Sequence, residues 1–213
     1  MANFDIDEAT LASILDSKEH HFNIPDFQRD FTWESKSNNT GEFNYILRDL
    51  KEAFDTNPKE EYYLGTFITF KENDKDLLYE VIDGQQRLTS ITIIIAAYYK
   101  VIRNTKDIDQ TDGDTAAQIL VKNEMLNDEK KVKVLKTTDI HGQEFLDIMY
   151  KMGDFSSIEE SEFVKNHLNS FNTAEKHFKK ILKDKGISAG HKKNKKFFNF
   201  IFINVIVALV VAT

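Results

Sequence analysis

Apolar positions along the 213-residue chain recur with two spacings, and the switches between them mark its elements. Residues 7–16, "DEATLASILD", put Leu11, Ile14 and Leu15 on one side of a short amphipathic helix. Phe22 and Ile24 suit a short strand, and Pro25 forbids a helix just before it. Residues 43–54, "FNYILRDLKEAF", set Phe43, Ile46, Leu47, Leu50 and Phe54 at the steps of a helix with one buried face. Asn57-Pro58 breaks that helix. "YYLGTFITF" and "LLYEVI" read as strands, and the polar "KENDKD" between them reads as a hairpin loop.

Residues 88–102 are apolar for more than three turns. Their Ile and Thr content favours strand, but the length and the stripe Leu88, Ile91, Ile95, Tyr98, Ile102 predict a buried helix. A polar loop, "NTKDIDQTDGD", and a short helix fill 103–122. "KKVKVLKT" reads as a strand, 144–151 and 158–182 as helices, and "KGISAGHKKNKK" as a loop. The last 17 residues, 197–213, carry no charge. That length sits at the lower limit for a membrane span. Asn199 and Asn204 argue against one, so the expectation is no membrane, a helix end and then a buried strand, "VIVALVV". A chain stopping there is expected to be part of a longer protein. A strand with an unfilled edge pairs with another chain, which leaves an oligomer open.

The length allows one large domain, or one domain with an extension. Without cysteine there is no disulfide framework, thiolate zinc site or cysteine nucleophile, which fits a cytoplasmic protein. The opening "MANFDIDEAT" is acidic and lacks the apolar core of a signal peptide. Charge is uneven. Residues 176–196 hold nine lysines and one aspartate, a balance of +8, which leaves −15 on the rest of a chain at −7. Such a patch either meets phosphates, with Lys192, Lys193, Lys195 and Lys196 as DNA contacts, or is a solvated helix face.

Candidate chemistry concentrates at "VIDGQQRLTS", residues 81–90, where a strand gives way to the apolar helix. Polar groups at such a junction must be satisfied, and two readings stand. Asp83 with Gln86 three residues on has the spacing of a capping box, with Gly84 supplying the turn. Alternatively, the turn is an anion site. The amides of Gly84, Gln85 and Gln86 and the positive helix end would face a phosphate, and Arg87 would add a bidentate donor. Asp83 would then hold Mg²⁺ or orient a water, and Gln85 or Gln86 would position that water. "IPDFQRDFTW", residues 24–33, repeats the pattern with Gln28 and Arg29 after a strand end, which suggests one shared anionic ligand.

"IPDFQRDFTW", "YYLGTFIT" and "VIDGQQRLTSI", in that order, resemble the amino-terminal domain of GmrSD-type restriction proteins, itself similar to the ParB/sulfiredoxin superfamily. The resemblance implies an α+β fold: a small mixed sheet with helices over residues 1–102, then a mostly helical extension over 103–213. It implies nucleoside triphosphate binding and hydrolysis with Mg²⁺ at Asp83, Gly84, Gln85, Gln86 and Arg87, with Gln28 and Arg29 from the second box. It also implies a modification-dependent restriction system as the setting, with DNA and a separate nuclease domain or subunit as partners. The six histidines stand in no recognisable nuclease context, so cleavage by this chain is the least supported reading. A non-catalytic DNA-binding or regulatory module is the alternative.

Overall fold

The computed structural model describes residues 4–15, 20–25, 31–33, 35–36, 40–73, 77–109, 111, 135–137 and 162–213. Within them the fold is α+β, with one mixed sheet of six strands and five helices. The strands are β1 (Phe4–Thr10), β2 (His21–Ile24), β3 (Tyr62–Phe70), β4 (Leu78–Asp83), β5 (Leu135–Thr137) and β6 (Val205–Ala212). The helices are α1 (Leu11–Ile14), α2 (Glu42–Thr56), α3 (Gln85–Asn104), α4 (Glu162–Lys185) and α5 (Ile187–Ile203). The sheet order is β1-β6-β3-β4-β2-β5. β1–β6 and β3–β4 are antiparallel, and β6–β3, β4–β2 and β2–β5 are parallel.

β3 and β4 form the expected hairpin, and α2 and α3 follow the expected apolar stripes. α3 is buried on nearly every side, so tertiary burial overrides the strand preference of its isoleucines and threonines. β6 is the expected apolar strand. It is paired on both edges within this chain, to β1 and to β3, so the partner it was expected to seek is supplied internally. Val205, Val207 and Leu209 alternate into the core, and each such burial contributes about 1.5–3 kcal/mol. The boundary expected at residue 102 falls within the last turn of α3, and the sheet takes strands from both sides of it.

Two expectations are corrected. Residues 7–10 are not helical: they complete β1, whose register runs from Phe4 opposite Ala212 to Thr10 opposite Ile206. Thr10 then caps α1, its Oγ1 accepting the Ser13 N–H at 3.2 Å. Residues 187–196 are not a loop: they are the first turns of α5. Gly186, with φ 77°, turns the chain, and Gly190 and Asn194 face inward. Any Cβ on Gly190 would lie 2.7 Å from the Ile181 carbonyl oxygen, so the absent side chain is what lets α5 approach α4. Buried Asn194 Nδ2 donates to the Phe178 carbonyl at 3.1 Å across the same contact. The short helix within 103–122 and the helix at 144–151 lie outside the described residues.

Candidate anion-binding turn

Asp83 ends β4 opposite Ile68 of β3, with its side chain mostly exposed. Gly84 follows with φ 95° and ψ −1°, a left-handed conformation in which an L side chain is strained. A Cβ there would also sit 2.4 Å from Phe67 Cδ1. Both facts demand glycine. α3 begins at once, the Leu88 N–H bonding the Gly84 carbonyl at 3.0 Å.

The expected Asp83–Gln86 capping box is not made. Gly84 occupies the cap position and, having no side chain, makes no cap hydrogen bond itself. The reason is a one-residue shift: Asp83 is still strand, and its carboxylate lies over the next turn, 3.6 Å from Arg87 Nη2. The first turn of α3 carries the positive end of a 20-residue helix dipole.

Arg87 is fixed by β3. Its Nη2 donates to the Thr66 carbonyl at 2.8 Å, and its guanidinium lies flat over Gly65. Gly65 has φ 124°, and a Cβ there would meet Arg87 Nη1 at 2.9 Å. The β3–β6 register slips between Tyr63 and Gly65, so the strand bends where the guanidinium crosses it. Arg87 Nε is buried and has no hydrogen-bond partner, while the side chain as a whole keeps about a quarter of its surface open. Beside it the Tyr63 and Thr66 hydroxyls are 2.9 Å apart.

Gln86 does something the sequence did not suggest. Its Oε1 accepts the backbone N–H groups of Thr32 and Trp33, at 2.9 and 3.2 Å. The two boxes are thus joined by one side chain. α4 grips the same strip from the other side. Asn166 Nδ2 donates to the Phe31 carbonyl at 3.4 Å, and Ser170 Oγ donates to the Trp33 carbonyl at 3.3 Å. Phe31 is buried against the His167 ring, 4.6 Å between centroids. The strip ends beside α2 and α4: the Lys36 N–H bonds Asn44 Oδ1 at 2.9 Å, and Ser35 is hydrogen-bonded to Thr173.

Of the expected site residues, the turn brings together Asp83, Gly84 and Arg87. Gln85 is buried at the helix start, and Gln86 is engaged by residues 32–33. Gln28 and Arg29 lie outside the described residues. Lys192, Lys193 and Lys196 line a separate cleft, while exposed Lys195 turns toward Asp109. Hydrogen bonds from Thr111 hold the Asp109 carboxyl below its ordinary range, and Lys195 adds a smaller pull. Sequence reasoning missed Gly65 and Thr66 as the seat of Arg87. The signal was a glycine inside a strand pattern, which marks a close approach.

The β4–α3 turn thus sets a left-handed glycine and a seated arginine at the start of a long buried helix in an α+β fold. The family assignment agrees with the sequence. A family model described as "GmrSD restriction endonuclease, N-terminal domain" matches residues 11–209, and the chain belongs to that family, a module of phage-defence restriction systems. Among curated proteins none is significantly similar to it. Among the described residues no helix is long and apolar enough to cross a membrane.

Proposed function

We propose that the β4–α3 turn binds the phosphates of a nucleoside triphosphate and that the chain hydrolyses it within a restriction system. The observation that carries this reading is the left-handed Gly84 turn at the start of α3, with the Arg87 guanidinium seated on β3 and the exposed Asp83 carboxylate 3.6 Å from it. A helix dipole and a guanidinium at one turn each favour a phosphate. The Asp83–Arg87 contact is loose at 3.6 Å, so an incoming phosphate has little to displace.

Among the described residues no group of three or more His, Asp or Glu side chains forms a metal cage. A Mg²⁺ ion carried by a nucleotide does not need one: a single carboxylate plus phosphate oxygens suffices. Asp83 fits that part, and the ion would neutralise charge on the phosphates. The chain's own residues do the rest. Arg87 orients the phosphate, and buried Gln85 lies beside the cradle as the candidate for placing water. The Gln86 carbonyl is occupied by residues 32–33, so Gln86 acts by holding that strip to the turn. Gln28 and Arg29, a few residues before the held strip, are proposed as further phosphate contacts. DNA cleavage is assigned to a separate nuclease domain or subunit.

The test is calorimetric titration of each NTP with Mg²⁺, together with phosphate release. Saturable binding by wild type, weakened at least about tenfold by Arg87→Ala (one charge-assisted contact, ~1.5–3 kcal/mol), supports the reading. Asp83→Asn is expected to bind nucleotide yet lose Mg²⁺-dependent release. No binding by a folded wild type, or wild-type affinity in Arg87→Ala, overturns it.

A further inference from the structure

Away from the β4–α3 turn, three grooves border α2; one, about 440 Å³, carries Asp49, Glu52, Glu60 and Glu61, and the other two are basic. Of these two, one of about 470 Å³ lies between α2 and α4 and carries Lys36, Arg48, Lys51, Lys176 and Lys180. The other, about 710 Å³, lies between the C-terminal end of α2 and α5 and carries Lys59, Lys185, Lys192, Lys193 and Lys196. Together their walls hold ten basic side chains and one carboxylate, Asp55. Around α2 the two signs are therefore separated, the four carboxylates facing the third groove and the lysines facing these two.

Asp55 stands between the grooves. It is hydrogen-bonded to Lys51 from the first, and it accepts from Lys193 of the second at 2.8 Å. Burial opposes its charge, but the bonds from Lys193 and Lys51 hold its carboxyl below the ordinary range. The single acid is therefore spent joining the grooves. None of Lys59, Lys176, Lys180, Lys185, Lys192 and Lys196 is held in an ion pair among the described residues. The field of both grooves reaches His177 on the wall of the first: burial chiefly, then Lys51, Lys193 and Lys180 against Asp55, bring its pKa down to about 4.

We propose that the two grooves form one continuous track for the phosphate backbone of duplex DNA. The chemistry selects this ligand. The cations are nine lysines and one arginine, and Arg48 is already paired with Asp49 and Glu52. Lysines neutralise phosphates as point charges, whereas base reading relies on bidentate side chains. The two phenylalanines of the larger groove, Phe54 and Phe200, are buried, so they offer no platform for unstacked bases of a single strand. A pair of concave channels suits the ridge of a backbone better than a flat bilayer. The track reads no sequence. It is independent of the nucleotide reading and goes beyond it.

The test is titration of a short labelled DNA duplex by the whole chain, without nucleotide, at rising NaCl. Each lost phosphate contact removes about 0.9 from the slope of log K against log salt, or roughly eightfold in affinity at about 0.1 M relative to 1 M. Lys176→Ala/Lys180→Ala and Lys192→Ala/Lys196→Ala are each expected to lower the slope by about two and to weaken binding by roughly 60-fold. Lys179→Ala, on α4 but bonded to Glu175 and lining neither groove, is expected to bind as wild type. The proposal is overturned if wild type does not bind duplex, if either double variant keeps the wild-type slope, or if Lys179→Ala weakens binding as much as they do. Binding of phosphatidylserine vesicles in place of duplex would overturn it in favour of a membrane face.

Discussion

Replacing Gln86 with alanine strips one acceptor from two donors, the N–H groups of Thr32 and Trp33. Each bond contributes about 1 kcal/mol net, and a donor left without water costs about 1–3 kcal/mol. Thr32 is exposed and Trp33 half-buried, so water reaches part of the gap and the lower half of that range applies. The expected loss is ~2–4 kcal/mol, a large share of a typical 5–15 kcal/mol stability. Gln86→Glu keeps an acceptor oxygen at the same reach and is expected to stay within about 1 kcal/mol of wild type. Urea unfolding measures both, and Trp33, the one tryptophan in the chain, supplies the signal beside the lost bonds. Its emission is expected to shift to the red in the folded Gln86→Ala protein. An alanine variant within about 0.5 kcal/mol of wild type, with unshifted emission, would refute the joining role.

Gly84→Ala combines a left-handed backbone with a Cβ 2.4 Å from Phe67 Cδ1, and is expected to cost about 2–5 kcal/mol. Adding Phe67→Leu is expected to recover the steric part and leave the backbone part, which a double-mutant cycle measures. Gly190→Ala forces a Cβ against the Ile181 carbonyl and the Leu182 backbone, and a loss of about 1–3 kcal/mol in thermal or urea unfolding is expected. His177 has a folded pKa of about 4 against an ordinary 6.5, so the unfolded chain binds the proton more readily. The stability this gives is whole above about pH 6.5 and falls as pH drops toward 4, by at most ~3 kcal/mol because the ring is only partly buried. Unfolding of His177→Phe followed across that window is expected to be flatter than wild type, and an unchanged slope would contradict this.

Much of the architecture was legible because it is written in local periodicity. The stripe Phe43, Ile46, Leu47, Leu50, Phe54 fixes α2, and the long apolar run after Arg87 fixes α3 by length. The errors have physical causes. In "DEATLASILD" the strand half carries acids on an exposed edge, so its sheet character comes from pairing with residues some two hundred positions away. In "KGISAGHKKNKK" the lysines and two glycines hid the first turns of a helix, whose buried positions there are Gly190 and Asn194 while its large apolar groups come only from Phe197 onward. At the site, Gly84 and Arg87 were readable from chain order. The seat of Arg87 on Gly65 and Thr66, and the grip of Gln86 on residues 32–33, depend on strands and loops meeting across the fold.

The place of β6 in the sheet bears on how the protein is made. Phe4 pairs with Ala212, and β3 finds its parallel neighbour only in the same late strand. During synthesis β1 leaves the ribosome before its partner and has no mate in this sheet until about two hundred further residues have followed. Its edge and that of β3 stay open until β6 has been made, and such edges recruit other nascent strands. Contacts this distant in sequence also make the closing step slow. Emergence of residues 205–212 therefore sets when this sheet can close, and a chain stalled before residue 205 would present two unsatisfied strand edges to whatever stands nearby.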